Sequence, residues 1–196
     1  MYLIGGEPGI GKSTIVIQVI YELLQLSSDM RVGYFSGEEN SDQVLERIQR
    51  IQGSSSPTID VYHTTTLEDI LQTTDAISYD LIVIDSIQTV TSAIANNSAG
   101  SSQQVRYCSE KLSDYCKSHR VACIVIGHVT KVGDIAGPKY LEHIVDVVTY
   151  IEGDRYGQYR FLRNQKNRFG TADDVAIFEM TATGLIPATQ LSDVMI

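Results

Sequence analysis

Three cysteines are all that the chain has, and none belongs to a CxxC pair. Cys108, Cys116 and Cys123 are odd in number, at spacings that fit neither a disulfide framework nor a structural zinc site. They read as small buried thiols in a reducing cytoplasm. Long apolar runs are also lacking. Gln18, Glu22 and Asp85 interrupt the longest of them, so no segment is expected to span a bilayer and no membrane partner is expected. No basic stretch followed by an apolar segment stands at the N-terminus, so no secretion signal is expected. Cationic excess is missing as well. The net charge of −9 argues against indiscriminate binding to nucleic acid.

What is present is an ordinary globular composition. The 196 residues are 43% hydrophobic and 20% charged, enough for one domain with a proper core. The charge is unevenly spread. Residues 1–105 hold 4 basic and 13 acidic groups, whereas residues 106–196 hold 11 of each. An anionic partner, other than one bound at the N-terminal loop, is therefore expected to meet the second half.

The periodicities predict alternating strands and helices. Tyr2–Gly5 reads as a buried strand. Lys12–Leu26 reads as a helix with Ile15, Val16, Val19, Ile20, Leu23 and Leu24 on one face. After the strand RVGYFSG, Asn40 is a candidate N-cap with Gln43 three residues on. The turn GSSSP leads to the strand IDVYH, and Thr66 is expected to cap the next helix. YDLIVIDS, an apolar run ending in a carboxylate, has the pattern of a central parallel strand. A polar loop, a helix through Val105, Cys108, Leu112 and Cys116, and the strand VACIVIGH follow. VTKVGDIAGPKY reads as a Gly-rich loop. Beyond it strands run together, with GDRYG as a hairpin turn. The expected fold is α/β: a doubly wound, mostly parallel sheet with an antiparallel C-terminal β extension.

Gly6-Glu7-Pro8-Gly9-Ile10-Gly11-Lys12-Ser13 matches GxxxxGK[ST] in full, followed by Thr14, and sits between a strand and a helix as that motif requires. Glycines permit the turns that aim successive N–H groups at an anion, and the helix N-terminus adds partial positive charge. Lys12 supplies a point charge for β- and γ-phosphates, and Ser13 a hydroxyl for Mg²⁺. The residues thus point to ATP and Mg²⁺. Asp85, at the end of LIVID, is the candidate second magnesium carboxylate, on the strand-end edge where open α/β sheets bind ligands. Glu38 and Glu39 of SGEE lie on that edge too. Either could polarise a water, and spacing does not choose between them. His128 ends its strand on the same edge, as polar punctuation or as a reporter of the γ-phosphate to the following loop. In RFLRNQKNRFG, a period of 2 places Arg160, Asn164, Lys166 and Arg168 on one face and Arg163 on the other. Lys166 and Arg168 read either as charges guarding an edge strand or as an anion clamp for a neighbouring subunit's nucleotide. Such a finger supplies ~10³–10⁵ in rate, roughly 4–7 kcal/mol.

Taken together, LIGGEPGIGKST, SGEE, LIVIDSIQT, QVRYCSEKL, GHVTK, IAGPKYLEHIVD, YIEGDR and KNRFG resemble the ATPase core of the RadA/Sms family of bacterial DNA repair proteins, within the RecA/DnaB-like group. The likeness runs in order along nearly the whole chain, and KNRFG after GHVTK is its most specific part. It implies a ring, hexameric by expectation, that hydrolyses ATP on single-stranded DNA and promotes branch migration of recombination intermediates, in possible company with a recombinase. It implies Glu38 as the water-polarising residue, His128 as a sensor, and Lys166 and Arg168 as cations for the neighbour's ATP. It also implies DNA-facing loops around Ala95–Gln104 and Thr130–Lys139, with Lys131, Lys139 and Arg106 as DNA contacts. The four-cysteine zinc motif and Lon-protease-like domain of that family have no counterpart in these residues, which are expected to form a single ATPase domain. An upstream segment that normally joins the core has no counterpart in these residues either, and Val132 and Lys139 stand where the resemblance leads one to expect Glu and Arg. A nucleotide-driven switch or scaffold of the same fold, related to circadian-clock ATPases, is the competing reading. A small-molecule kinase would need an arginine-rich lid, which the sequence lacks.

Overall fold

Strand and helix alternate through the first two-thirds of the chain, and strands then succeed one another. The computed structural model describes residues 1–53, 59–128, 138–154, 157–172 and 174–188, the side chains of residues 138 and 139 excepted. Its first half comprises β1 (Tyr2–Gly6), α1 (Lys12–Leu26), β2 (Val32–Ser36), α2 (Ser41–Gln52), β3 (Asp60–His63), α3 (Leu67–Ile77) and β4 (Leu81–Asp85). Then come α4 (Ser102–His119), β5 (Ala122–His128), α5 (Pro138–Ile144), β6 (Val147–Gly153), β7 (Tyr159–Asn167), β8 (Val175–Thr181) and β9 (Gly184–Pro187). One sheet runs in the order β3-β2-β4-β5-β1-β6-β7-β8-β9. Pairing is parallel from β3 to β6 and antiparallel from β6 to β9.

Both faces of the parallel part are covered. Along β4, Ile82 and Ile84 pack with Leu67 and Ile70 of α3, Val105, Cys108 and Leu112 of α4, and Leu141 of α5. Leu81 and Val83 face the other way, against Ile17 and Ile20 of α1 and Val44 and Ile48 of α2. A strand covered on both faces has no use for polar alternation, which is why LIVI is an unbroken apolar run. All three cysteines are buried and free.

Helix α2 carries the expected cap. Asn40 Oδ1 accepts from Gln43 N at 2.9 Å, and Gln43 Oε1 accepts from Asn40 N at 3.1 Å, closing a capping box. Asn40→Ala is expected to cost about 1 kcal/mol, read as a lower urea midpoint with an unchanged slope. At α3, Thr66 occupies the N-cap, but its hydroxyl makes no capping bond; Glu68 and Asp69 in the first turn supply the favourable charge instead.

Two expectations are corrected. The stretch up to Tyr140 reads as loop in the sequence, yet Pro138 opens α5, where its fixed φ suits the first helical position. Leu141 and the following Val145 are buried against β1 and β6, so tertiary packing holds a helix too short to show a clear period. The second correction concerns β7. Its register with β6 shifts between Val148 and Thr149, so that Lys166 pairs with Val148 and Asn164 with Thr149. Gln165 is the extra residue of this bulge, and the alternation inverts across it. Lys166 therefore lies on the α4–α5 face, opposite Arg160 and Asn164, rather than beside them.

Candidate nucleotide site

The strand-end edge of the parallel sheet gathers the candidate residues. Gly6 pairs with His128 across β1 and β5, and Ser36 with Asp85 across β2 and β4. The P-loop leaves β1 and enters α1 at Gly11, whose φ of 111° serves as the N-cap. A left-handed φ of this size favours glycine; a Cβ there would also come within 2.6 Å of Met180 Cε, the free end of a side chain that could move aside. Ile10 N donates to Glu7 O at 3.3 Å, and Arg160 Nε donates to Ile10 O at 2.9 Å. Arg160, which sequence reasoning did not assign to the site, thus ties the antiparallel extension to the loop. Its place at the start of the strand after a hairpin was the available signal.

Lys12 is buried, and its ammonium donates to Gly6 O at 3.0 Å and Glu7 O at 2.8 Å. Burial pushes the Lys12 pKa below the ordinary lysine value, and the Asp85 and Glu38 carboxylates offset part of that shift. The same ammonium lies 3.1 Å from His128 Nδ1. An ammonium has only protons to give, so Nδ1 accepts and Nε2 carries the ring hydrogen. Nε2 donates in turn to Glu38 Oε1 at 2.6 Å, and Ser86 Oγ donates to that same oxygen at 2.5 Å. Burial pushes Glu38 up, but the bonds from Ser86 and His128 and the Lys12 charge more than offset it, leaving its carboxyl below the usual range.

The two glutamates of SGEE are told apart by these contacts. Glu38 faces Lys12 and His128. Glu39 turns to α2, where Arg47 Nη2 reaches it at 2.5 Å, and its N–H donates to Ser36 Oγ at 3.1 Å. Gly37 makes the division possible, because a Cβ at that position would lie 2.0 Å from Thr89 Oγ1. The turn can rest on the segment after β4 only without one.

Ser13 Oγ donates to Asp85 Oδ2 at 2.7 Å, and the buried Tyr34 hydroxyl donates to the same atom at 2.5 Å. Burial pushes Asp85 above the ordinary aspartate value; the Tyr34 and Ser13 bonds pull it back in part, and the Glu38 charge adds to the rise. A hydroxyl beside a buried carboxylate is a hard-oxygen donor set that suits Mg²⁺. Among the described residues no group of three or more His, Cys, Asp or Glu could cage a metal. The set fits an ion whose remaining ligands are phosphate oxygens and water.

Lys166 and Arg168 stand elsewhere. β7 begins at the P-loop edge with Arg160 and ends at the opposite edge, where Asn167 pairs with Val147 and Val147 with Tyr2. Lys166 Nζ donates to Glu142 O at 2.6 Å and Val145 O at 2.7 Å, at the end of α5. Arg168 Nη1 reaches Asp146 Oδ1 at 3.0 Å and is 52% exposed. Arg106 lies at the start of α4, exposed, bonded to Glu110 at 3.3 Å and stacked 4.5 Å over the Tyr140 ring. Lys131 lies outside the described residues, as does the side chain of Lys139.

A P-loop on a mostly parallel sheet, with a strand-end aspartate beside its serine, defines a P-loop ATPase core. Solved structures agree on the fold. One, an ATPase domain, superposes with a TM-score of 0.80 at 15% identity, covering 95% of this chain and 84% of that one. A KaiC-like protein from Pyrococcus horikoshii gives a TM-score of 0.71 at 18% identity, covering 95% and 88%. The family model described as AAA domain matches residues 1–134. DNA repair protein RadA of Listeria monocytogenes is 45% identical over 196 residues, 100% of this chain and 42% of that protein. RadA of Rickettsia typhi is 42% identical, over 99% of this chain and 43% of that protein. The chain belongs to the AAA domain family by its match over residues 1–134 and to the RadA family of ATPases, with a RecA-like core. It spans less than half the length of these curated relatives. No helix among the described residues is long and apolar enough to cross a membrane.

Proposed function

We propose that the chain is the ATP-hydrolysing core of a DNA repair motor, which assembles as a ring, moves on single-stranded DNA and promotes branch migration of recombination intermediates. The observation that carries this reading is the topology of β7. It takes Arg168 to the sheet edge opposite its own P-loop, so the arginine serves a triphosphate only in another subunit. A head-to-tail ring brings every such edge against a neighbour's P-loop. The curated relatives named DNA repair protein RadA support the biological setting.

In the proposed reaction the P-loop N–H groups and Lys12 hold the β- and γ-phosphates. Ser13 and Asp85 would hold Mg²⁺, which would supply neutralisation of charge on the nucleotide phosphates. Glu38 accepts a proton from the water whose oxygen attacks the γ-phosphorus. The bond from that phosphorus to the bridging oxygen breaks, and ADP leaves with the bond's electrons. His128 touches both Lys12 and Glu38 and directly precedes the segment 129–137 in the chain, which supports a role in coupling the γ-phosphate to that segment. Arg168 of the adjacent subunit stabilises the charge on the transferring group. Lys166, bonded to the α5 carbonyls, must leave them to join it. Arg106, Lys131 and Lys139 contact DNA phosphates, on the half of the chain without acidic excess.

ATP turnover of concentrated protein, with and without single-stranded DNA, tests the reading. The rate per subunit is expected to rise with protein concentration, because each site is shared, and to rise again with DNA. A rate indifferent to DNA removes the motor. DNA binding that weakens steeply with salt supports several phosphate contacts. Absence of DNA binding at low and high salt favours the nucleotide-driven scaffold, which the acidic first half also suits.

A further inference from the structure

Tyr34 lies in the middle of β2, fully buried among Val83, Ile20 and Val44. Its ring does the work of any core aromatic. Its hydroxyl does not belong to that role, since a phenylalanine would fill the same space. The O–H instead points along the sheet to Asp85 Oδ2 at 2.5 Å, the atom that also accepts from Ser13 Oγ at 2.7 Å. One carboxylate oxygen thus takes two hydroxyl donors from two different elements, β2 and α1. No bond to Oδ1 is formed by Tyr34 or Ser13, so the pair clamps one oxygen and orients the other.

We propose that Tyr34 is a positioning residue for the magnesium site, holding the Asp85 carboxylate in the orientation in which it meets a nucleotide-bound Mg²⁺. The inference rests on the proposed nucleotide site and adds to it a residue outside the P-loop and SGEE motifs. The physical reason is orientational. An aspartate has a staggered χ1 and a soft, roughly two-fold χ2 to settle, and a strand-end carboxylate held only by Ser13 loses its restraint when the serine oxygen turns to the metal. Tyr34 does not ligate the metal, so its bond persists through nucleotide binding and release. Groups that orient a ligand from behind typically contribute 10–100-fold to metal affinity.

The test is Tyr34→Phe, which removes the hydroxyl and keeps the ring. A fluorescent ADP analogue is titrated against wild type and Y34F, first in EDTA and then across Mg²⁺ concentrations. In EDTA the two proteins are expected to bind the analogue alike. With Mg²⁺, half-saturation for Y34F is expected at concentrations ~10–100-fold higher. A merely structural role would weaken binding in EDTA as much as in Mg²⁺ and would lower the unfolding midpoint without moving the Mg²⁺ curve; that result, or an unmoved curve in a folded Y34F, overturns the proposal. Should Y34F fail to fold, 4-aminophenylalanine at position 34 supplies a weaker N–H donor in the same space. An Mg²⁺ half-saturation above that of wild type then supports the proposal, and an unchanged one overturns it. A wild type that binds the analogue in neither EDTA nor Mg²⁺ would instead sink the nucleotide reading itself, and one whose binding ignores Mg²⁺ would overturn the magnesium site at Ser13 and Asp85.

Discussion

Arg168→Ala is expected to leave ATP binding close to wild type and to lower hydrolysis by ~10³–10⁵-fold, roughly 4–7 kcal/mol of transition-state stabilisation. The side chain is half exposed and pairs on the surface with Asp146, a contact of the kind worth ~0–1 kcal/mol, so folding should survive its loss. It opens on a polar recess of about 540 Å³ that Lys111, Lys117 and His143 line together with Glu110 and Asp114, so the space beside the guanidinium is of mixed charge and open to a neighbouring subunit. Mixed assemblies give the sharpest check. A subunit carrying Lys12→Ala has no working P-loop but an intact arginine; one carrying Arg168→Ala has the reverse. Each is expected to be nearly inactive alone, and an equimolar mixture to recover turnover at the interfaces that unite the two good halves. A mixture no more active than its components would mean that sites are not shared.

Glu38→Gln is expected to retain ATP and to hydrolyse it ~10²–10⁴-fold more slowly, the usual worth of a positioned general base. The amide oxygen can still accept from Ser86 and His128, so the geometry at 2.5 and 2.6 Å has no reason to collapse; only the capacity to take the water's proton goes. Glu39→Gln should retain most of the rate, because Glu39 is turned toward Arg47. Were Glu39→Gln the variant that stops turnover, the assignment would be reversed. The pH profile carries a second check. Burial raises the Glu38 pKa, but its hydrogen bonds and Lys12 hold the folded value below the ordinary one. The carboxylate therefore stays ionised to lower pH than an ordinary glutamate, and its contribution to stability, fully present above the unfolded value, is lost as pH falls from there through the depressed folded one. The acid limb of hydrolysis is expected in that lower window for wild type.

Much of this site was legible in the residues. GxxxxGK[ST] between a strand and a helix, and an aspartate ending an apolar run, each specify a local geometry that chain connectivity enforces. The choice between Glu38 and Glu39 was not legible, since neighbours in a turn point wherever tertiary contacts allow; Thr89, against which Gly37 must pass, and Arg47 decide it. Tyr34 was invisible for a similar reason. A tyrosine in a buried strand looks like core, and only the parallel pairing of β2 with β4 places its hydroxyl on Asp85.

By itself, the order of residues determined the strand–helix alternation, the anion-holding loop, the carboxylates at strand ends and the capping of α2, because all of these depend on contacts a few residues apart or on one period repeated. Tertiary structure alone decided the rest. The extra residue Gln165 inverts the faces of β7 and sends Lys166 to the carbonyls of α5 instead of beside Asn164. A side-chain period survives only while each residue finds one partner across the ladder, and which strand lies alongside, and in what register, is not written within either strand.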